Sequence, residues 1–291
     1  MTSWESILAA SLQQQWKDYR RTLQECQRRF SERAVHDSRV ECRRLMSVFE
    51  LLRVLPLRGN LRKKARGALQ EHLDAFDRLR DTQVQLLLLG QQADAFPETR
   101  GLRAALRERE ERCRTEARGR LRKIKTGRVK KLAAALRQRL DALHLEPDRR
   151  LRARRAILRA VDAAFARAVD LRHKMDPGQV ATLHRARVAF KKFRYMAEAV
   201  RPLLPGFSTW RLEAMHSFQE MFGALQDTDV FLARLDKFAG QDQGREQTLA
   251  AFRHWLLRRR TAQIERCLKH ADAMLEFWPP APAAPAPRPR S

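Results

Sequence analysis

Apolar residues return at every third or fourth position through almost the whole chain, and runs that alternate strictly between apolar and polar residues are missing. This spacing predicts helices that each bury one stripe, and so an all-α chain. Interruptions rich in Pro, Gly, Asn or Asp fall at LPLRGN (55–60), FPETRG (96–101), LEPD (145–148), MDPGQ (175–179), LLPGF (203–207) and GQDQG (240–244). Such residues stop helices and turn the chain. Long helices joined by short turns predict antiparallel bundles. Beyond Trp278 the sequence PPAPAAPAPRPRS has few backbone donors and almost nothing to bury, so residues 279–291 are expected to be a disordered tail outside the fold.

The pattern also repeats. Aligning residues 35–50 with 183–198 places His36 on His184, Arg39 on Arg187, Val40 on Val188 and Glu50 on Glu198, with Arg43 and Arg44 opposite Lys191 and Lys192. Downstream, RDTQV (80–84) answers QDTDV (226–230); the offset is 148 residues for the histidines and 146 for the aspartates. Two matches in the same order at nearly one offset predict an internal duplication. Its boundary is expected near LEPDRR (145–150), with one repeat over about residues 8–146 and the other over about 149–272.

On a helix turning about 100° per residue, His36, Arg39, Arg43, Ser47 and Glu50 share one face, and Cys42, Leu45, Phe49 and Leu52 lie opposite. In the second copy His184, Arg187, Lys191, Tyr195 and Glu198 hold the same face, and Phe190, Phe193, Ala197 and Val200 take the core side. A solvated helix face normally mixes signs for i, i+4 support. These faces instead gather bases that repel one another unless an anion lies between them. Glu50 and Glu198, one per copy, are expected to orient a base from a turn away. A histidine among arginines resists protonation, so His36 and His184 are expected to act as neutral donors to the anion.

Charge extends this reading beyond two helices. The chain of 291 residues carries 60 Lys and Arg, of which 48 are Arg, against 34 Asp and Glu, for a formal charge of +26. A field of that size concentrates polyanions, and the planar guanidinium fork grips phosphate oxygens in pairs. Arg114, Arg118, Arg122 and Lys125 run along one helical line, followed by Arg128, Lys130 and Lys131, and RHWLLRRR (253–260) holds a comparable place in the second half. RRTLQECQRR (20–29) is expected to be solvated surface.

Other chemistry fits less well. His36 and Asp37 form an HD pair of the kind that metal-dependent phosphohydrolases use. Adjacent helical residues point about 100° apart, however, and the repeat has Arg185 in place of Asp37. The remaining histidines (His72, His144, His173, His216, His254 and His270) lack ligand spacing, so no metal is expected. Asp81 and Asp227 each precede an apolar segment and are expected to cap a helix and accept from a nearby base. Phosphate-cradling glycine loops are absent. The four cysteines, Cys26, Cys42, Cys113 and Cys267, form no close pair and suit free thiols in a cytoplasmic protein. No segment has the pattern of a signal peptide or a membrane span.

The doubled His-x-x-Arg-Val helix, with an RD or QD segment about 45 residues later, resembles the CHAD family, the conserved histidine α-helical domain. The residues that carry the likeness are VHDSRVECRRL with LRDTQV, then LHRARVAFKKFRYMAE with LQDTDV, and it spans roughly residues 8–272. The resemblance implies two antiparallel helical bundles related by a pseudo-two-fold axis, with basic faces lining a central cavity or groove. It further implies that this surface binds inorganic polyphosphate, without catalysis or cofactor, and associates with polyphosphate granules. The positions carried over are His36, Arg39, Arg43, Arg44, His184, Arg187, Lys191, Lys192 and Arg194. The region from Arg118 to Lys131 resembles the family's later basic helix and adds Arg118, Arg122, Lys125 and Arg128. Many relatives also hold a CYTH triphosphate-tunnel domain, whose Glu-x-Glu-x-Lys lies on a strand. EREER (108–112) imitates that signature within a helical pattern, so the enzymatic half is expected to be missing. Nucleic-acid binding is the alternative reading, and metal-dependent phosphohydrolysis a further one. The aromatic stacking that single-stranded nucleic acid uses has no exposed pattern here.

Overall fold

The computed structural model describes residues 3–57, 61–123, 126–143, 145–204 and 207–278. The tail 279–291, Lys125 and His144 lie outside them, as do parts of the breaks at 55–60 and 203–207, and the side chain of Arg128 is likewise not described. Ten α-helices occur among the described residues: α1 Trp4–Arg29, α2 Glu32–Leu51, α3 Leu61–Gln91, α4 Arg100–Lys123, α5 Thr126–Asp141, α6 Pro147–His173, α7 Val180–Ala199, α8 Thr209–Ala239, α9 Gln243–Thr248 and α10 Ala250–Lys269. A 3-10 segment, Ala271–Phe277, follows α10. No named strand occurs among the described residues, and the fold is all-α as the periodicity predicts.

The helix ends follow local chemistry. Serine hydroxyls cap α1, α2 and α8, with Ser3, Ser31 and Ser208 accepting from the amides of Ser6, Ala34 and Arg211 at 3.2, 3.3 and 3.2 Å. Pro147 opens α6, where its missing amide would be unpaired in any case. One turn has no Pro or Gly to announce it: α1 ends on Phe30 in the left-handed region (φ 48°), and Ser31 starts the next helix at once. Phe30 holds that unfavourable conformation by burying its ring against Phe76.

α1 packs on α2, α2 on α3 and α3 on α4; α6 likewise packs on α7, α7 on α8 and α8 on α10. The segment Ala271–Phe277 touches α6 and α8, much as α5 touches α1 and α3. The two series meet through α2 against α7 and α3 against α8. One apolar core, including Leu45, Phe49, Leu69, Phe190, Phe193 and Phe218, runs through both series. A second, with Leu89, Leu106, Phe231, Leu235 and Phe252, gathers the far ends of α3 and α8 with α4 and α10. The α2–α7 contact therefore stands on packed supports from both halves, and it is where the histidine faces meet.

Candidate functional site

α2 brings His36, Arg39 and Arg43 towards Lys191 of α7, beside which Arg187 lies on the same helix, while His184 sits by Arg187 and faces Gln226 and Asp229 of α8. Arg39 is only 8% exposed; its Nη1 donates to the carbonyl of Leu73 at 2.8 Å and pairs with Asp77 at 2.6 Å, both on α3. The guanidinium of Arg187 lies against Gly223 of α8, where an added Cβ would sit 3.3 Å from Nη2. That glycine leaves the space Arg187 occupies.

Arg43 and Lys191 have no carboxylate within ion-pair distance among the described residues. Burial, with Arg43, Arg187, Arg194 and Arg39 around it, pulls the Lys191 ammonium from 10.5 down to about 6. Burial also lowers Arg43 and Arg187, with Arg39 adding to the effect on Arg43. Both histidines move down too, each first through loss of solvent. Lys191, Arg43 and Arg39 then repel charge on His36, and Arg187 does so on His184. The direction favours the neutral ring at both positions. His184 Nδ1 is buried without a partner.

Asp81 and Asp227 do not cap helices. They sit in the middle of α3 and α8, each an unbroken helix of 31 residues, because the apolar stripe continues through the polar tetrad without a stop signal. Both carboxyls titrate above the usual range because of desolvation. For Asp81 the charges of Asp77 and Asp227 add to this, while Arg39 and Arg109 oppose it. Arg187, Arg80, His36 and Lys191 oppose it at Asp227. Bases thus surround both carboxyls, but among the described residues neither accepts a hydrogen bond from one as expected.

The neighbouring bases behave differently. Arg44 of α2 pairs with Glu198 of α7 at 3.0 Å and with Glu41 at 2.7 Å, while Lys192 of α7 pairs with Glu50 of α2 at 3.5 Å. Arg66 joins Glu50 at 3.4 Å. The glutamates thus reach across to the opposite helix rather than orienting a base one turn away. The exchange is reciprocal, as in a two-fold contact. Ser47 and Tyr195, placed by the helical wheel on the basic face, are buried where α2 and α7 pack together, whereas His36 on the same face is exposed and Arg43, His184, Arg187 and Lys191 are half-buried. The Tyr195 ring lies 4.6 Å from the Arg194 guanidinium and 5.9 Å from both Arg44 and Lys191. Arg194 is itself 5% exposed, and its Nε donates to Gln219 at 3.1 Å. Val188, matched to Val40, is 49% exposed and belongs to no core.

Arg118 and Arg122 are exposed on α4, which packs chiefly on α3; the Arg118 guanidinium lies 5.0 Å from the Phe30 ring. Arg114 pairs with Glu110 and Glu111 on its own helix. On α10 and α8, Arg253 pairs with Asp236 at 2.7 Å and Arg260 with Asp229 at 2.5 Å. Asp37 pairs with Arg33 at 3.8 Å, and no group of three His, Cys, Asp or Glu that could hold a metal occurs among the described residues. Clefts of about 410 and 190 Å³ lie beside α1, and neither is lined by a residue of the paired faces.

Sequence reasoning did not single out Asp77, Arg80, Arg109 or Arg234. Arg80 pairs with Glu32 and faces Asp227 and Asp81. Arg109 reaches from α4 to Thr82 at 3.1 Å and faces Asp81; Arg234 is pushed down by burial and by Arg109 and Arg78. Arg80 and Arg234 were accessible to inspection, since one precedes the motif aspartate and the other follows Asp227 by two helical turns. Arg109 becomes a neighbour only through packing of α4 on α3.

A family model described as CHAD domain matches residues 10–236. The crystal structure of the CHAD domain from the plant Ricinus communis superposes with a TM-score of 0.72 at 22% identity, covering 94% of this chain and 92% of that one. PptA from Streptomyces chartreusis superposes with a TM-score of 0.65 at 19% identity, over 93% of this chain and 99% of that one. No curated protein matches.

Proposed function

The chain belongs to the CHAD domain family, and from that premise and the α2–α7 cluster we propose that it binds inorganic polyphosphate without catalysing its turnover. The family is associated with polyphosphate binding in general. The observation that carries the proposal is the convergence of Arg39, Arg43, Arg187 and Lys191 from two helices, with Arg43 and Lys191 lacking carboxylate partners among the described residues. Holding these charges together costs free energy in the unliganded protein. A chain with about one negative charge per phosphate relieves that repulsion, and the two neutral histidines offer donors to its oxygens.

Several finer points belong to the same proposal. The basic faces line a groove for the polyanion; the chain associates with polyphosphate granules in the cytoplasm; and the matched packing series descend from one duplicated unit. The recurrence of α1–α2–α3–α4 contacts as α6–α7–α8–α10, and the reciprocal Arg44–Glu198 and Lys192–Glu50 pairs, support the duplication. The absence of catalysis is part of the same proposal, and an assay for phosphate release from polyphosphate with added divalent metal tests it.

Competition at fixed salt tests the reading. Labelled long-chain polyphosphate is challenged with single- and double-stranded DNA and with RNA at equal phosphate concentration. Polyphosphate is expected to hold the protein, because the cluster has no exposed aromatic platform on which bases stack. Displacement by nucleic acid at equal phosphate would overturn the assignment. Affinity is expected to fall steeply with salt in either case.

A further inference from the structure

Lys191 is distinguished from its neighbour Lys192 by its surroundings. Its side chain is half-buried and its ammonium faces the Tyr195 ring at 5.9 Å. Arg39 and Arg43 from α2, and Arg187 and Arg194 from its own helix, surround it. His36 stands beside it on α2, and Asp227 faces the group from α8 outside ion-pair distance. Lys192, the next residue, is exposed and held by Glu50. A lysine crowded by cations and shielded from water loses its proton readily, and that is how amine nucleophiles are activated in proteins.

We propose that Lys191 is a site of acylation by small acyl phosphates, whose phosphoryl group the surrounding guanidinium groups dock beside the amine. The neutral Nζ attacks the carbonyl carbon of the acyl phosphate. An N–C amide bond forms, the C–O bond to phosphorus breaks, and the leaving inorganic phosphate takes the electron pair and the amine proton. No oxidant or metal takes part. The depressed Lys191 pKa, about 6, leaves most of the amine neutral at pH 7.5, where an ordinary lysine near 10.4 is only about 0.1% neutral. A weaker base is also a weaker nucleophile, which offsets part of that gain. The product, an uncharged amide in the middle of the cluster, removes one positive charge and occupies space between α2 and α7. Acylation and polyanion binding would therefore exclude one another; this last consequence rests on the polyphosphate reading, whereas the reactivity of Lys191 does not.

The full chain is incubated with acetyl phosphate at pH 7.5, and every lysine's occupancy is followed over time by mass spectrometry after denaturation and isotopic acetylation of the remaining amines. Lys191 is expected to react roughly five- to tenfold faster than Lys192, a gap set by its larger neutral fraction less the nucleophilicity lost with basicity. Equal or slower reaction at Lys191 overturns the proposal. Arg187→Gln and Arg43→Gln, each checked for native helicity and unfolding midpoint, are expected to slow the reaction with acetyl phosphate several-fold more than that with the uncharged p-nitrophenyl acetate. Parallel slowing with both reagents overturns the docking role of the guanidinium groups. Long-chain polyphosphate is expected to protect Lys191 selectively. Rapid labelling at Lys191 that polyphosphate does not slow counts against the polyphosphate reading and leaves the acylation site standing.

Discussion

The α2–α7 contact and the α4 surface are both rich in arginine, yet they have opposite electrostatics. On α4, Arg112 and Arg114 pair with Glu108, Glu110 and Glu111 one turn away, and Arg118 lies over Phe30 in solvent. Such pairs are worth little and need no ligand. Around Lys191, burial together with bases brought in from two helices depresses a lysine and two histidines, and of Arg39, Arg43, Arg187 and Lys191 only Arg39 has an ion pair among the described residues. The difference teaches that arginine density alone does not single out a candidate anion site, whereas buried like charges from two helices do. The same contrast recurs between adjacent residues, for Arg43 and Lys191 have no ion pair among the described residues while Arg44 and Lys192 clamp α2 to α7.

The largest expected effect is on pH dependence. Lys191 must gain a proton to contribute charge to a bound polyanion, so affinity is expected to fall as pH rises above about 6, by up to about tenfold per pH unit. Stability of the unliganded protein moves the other way. Lys191 is a base whose folded pKa lies below its unfolded one, so the unfolded chain holds more protons between about 6 and 10.5 and stability rises with pH across that window. Polyphosphate titrations at constant ionic strength, with unfolding curves alongside, measure both slopes. A flat affinity profile between pH 6.5 and 8.5 would count against a deprotonated Lys191.

A smaller effect is expected at Gly223. An added Cβ presses on the Arg187 guanidinium, so Gly223→Ala should weaken polyphosphate binding by a few-fold, with the helical fold retained, as Arg187 shifts by a few tenths of an ångström. Binding and circular dichroism on one preparation check this. Smallest of all is Glu198→Gln, which removes a half-buried pair to Arg44 while Glu41 still holds that arginine. It is expected to cost about 1 kcal/mol of stability, read by urea unfolding, and to change polyphosphate affinity less than twofold.

Much of this was legible in the residues because helical periodicity and punctuation are local signals. The apolar stripes of α2 and α7 are buried as the 3.6-residue pattern requires, and the Pro- and Gly-rich breaks fall between helices. The Phe30–Ser31 turn escaped because a buried aromatic holds the left-handed conformation that glycine usually announces. At the site, the repeat brought the two histidines and their bases into view together, but a helical wheel treats a polar face as solvated. It cannot tell that α2 and α7 pack against each other at Ser47 and Tyr195, so it left those two side chains outside and gave Glu50 and Glu198 the wrong partners. Asp81 and Asp227 were mistaken for caps because a polar tetrad ahead of an apolar run looks like a helix start. Asp77 and Arg109 are brought in by tertiary packing, which no spacing along one chain encodes.

Two double variants with the same change in net charge test the central claim most directly: Arg39→Glu with Arg187→Glu, and Arg118→Glu with Arg122→Glu. Polyphosphate affinity is measured for both at the same salt and pH, in preparations shown to unfold cooperatively. The α2–α7 pair is expected to lose on the order of 100-fold, since two charge-assisted contacts become repulsive, while the α4 pair loses only the few-fold that the overall field supplies. Equal losses in the two variants would contradict the account and leave net charge, not the paired histidine faces, as what holds the polyanion.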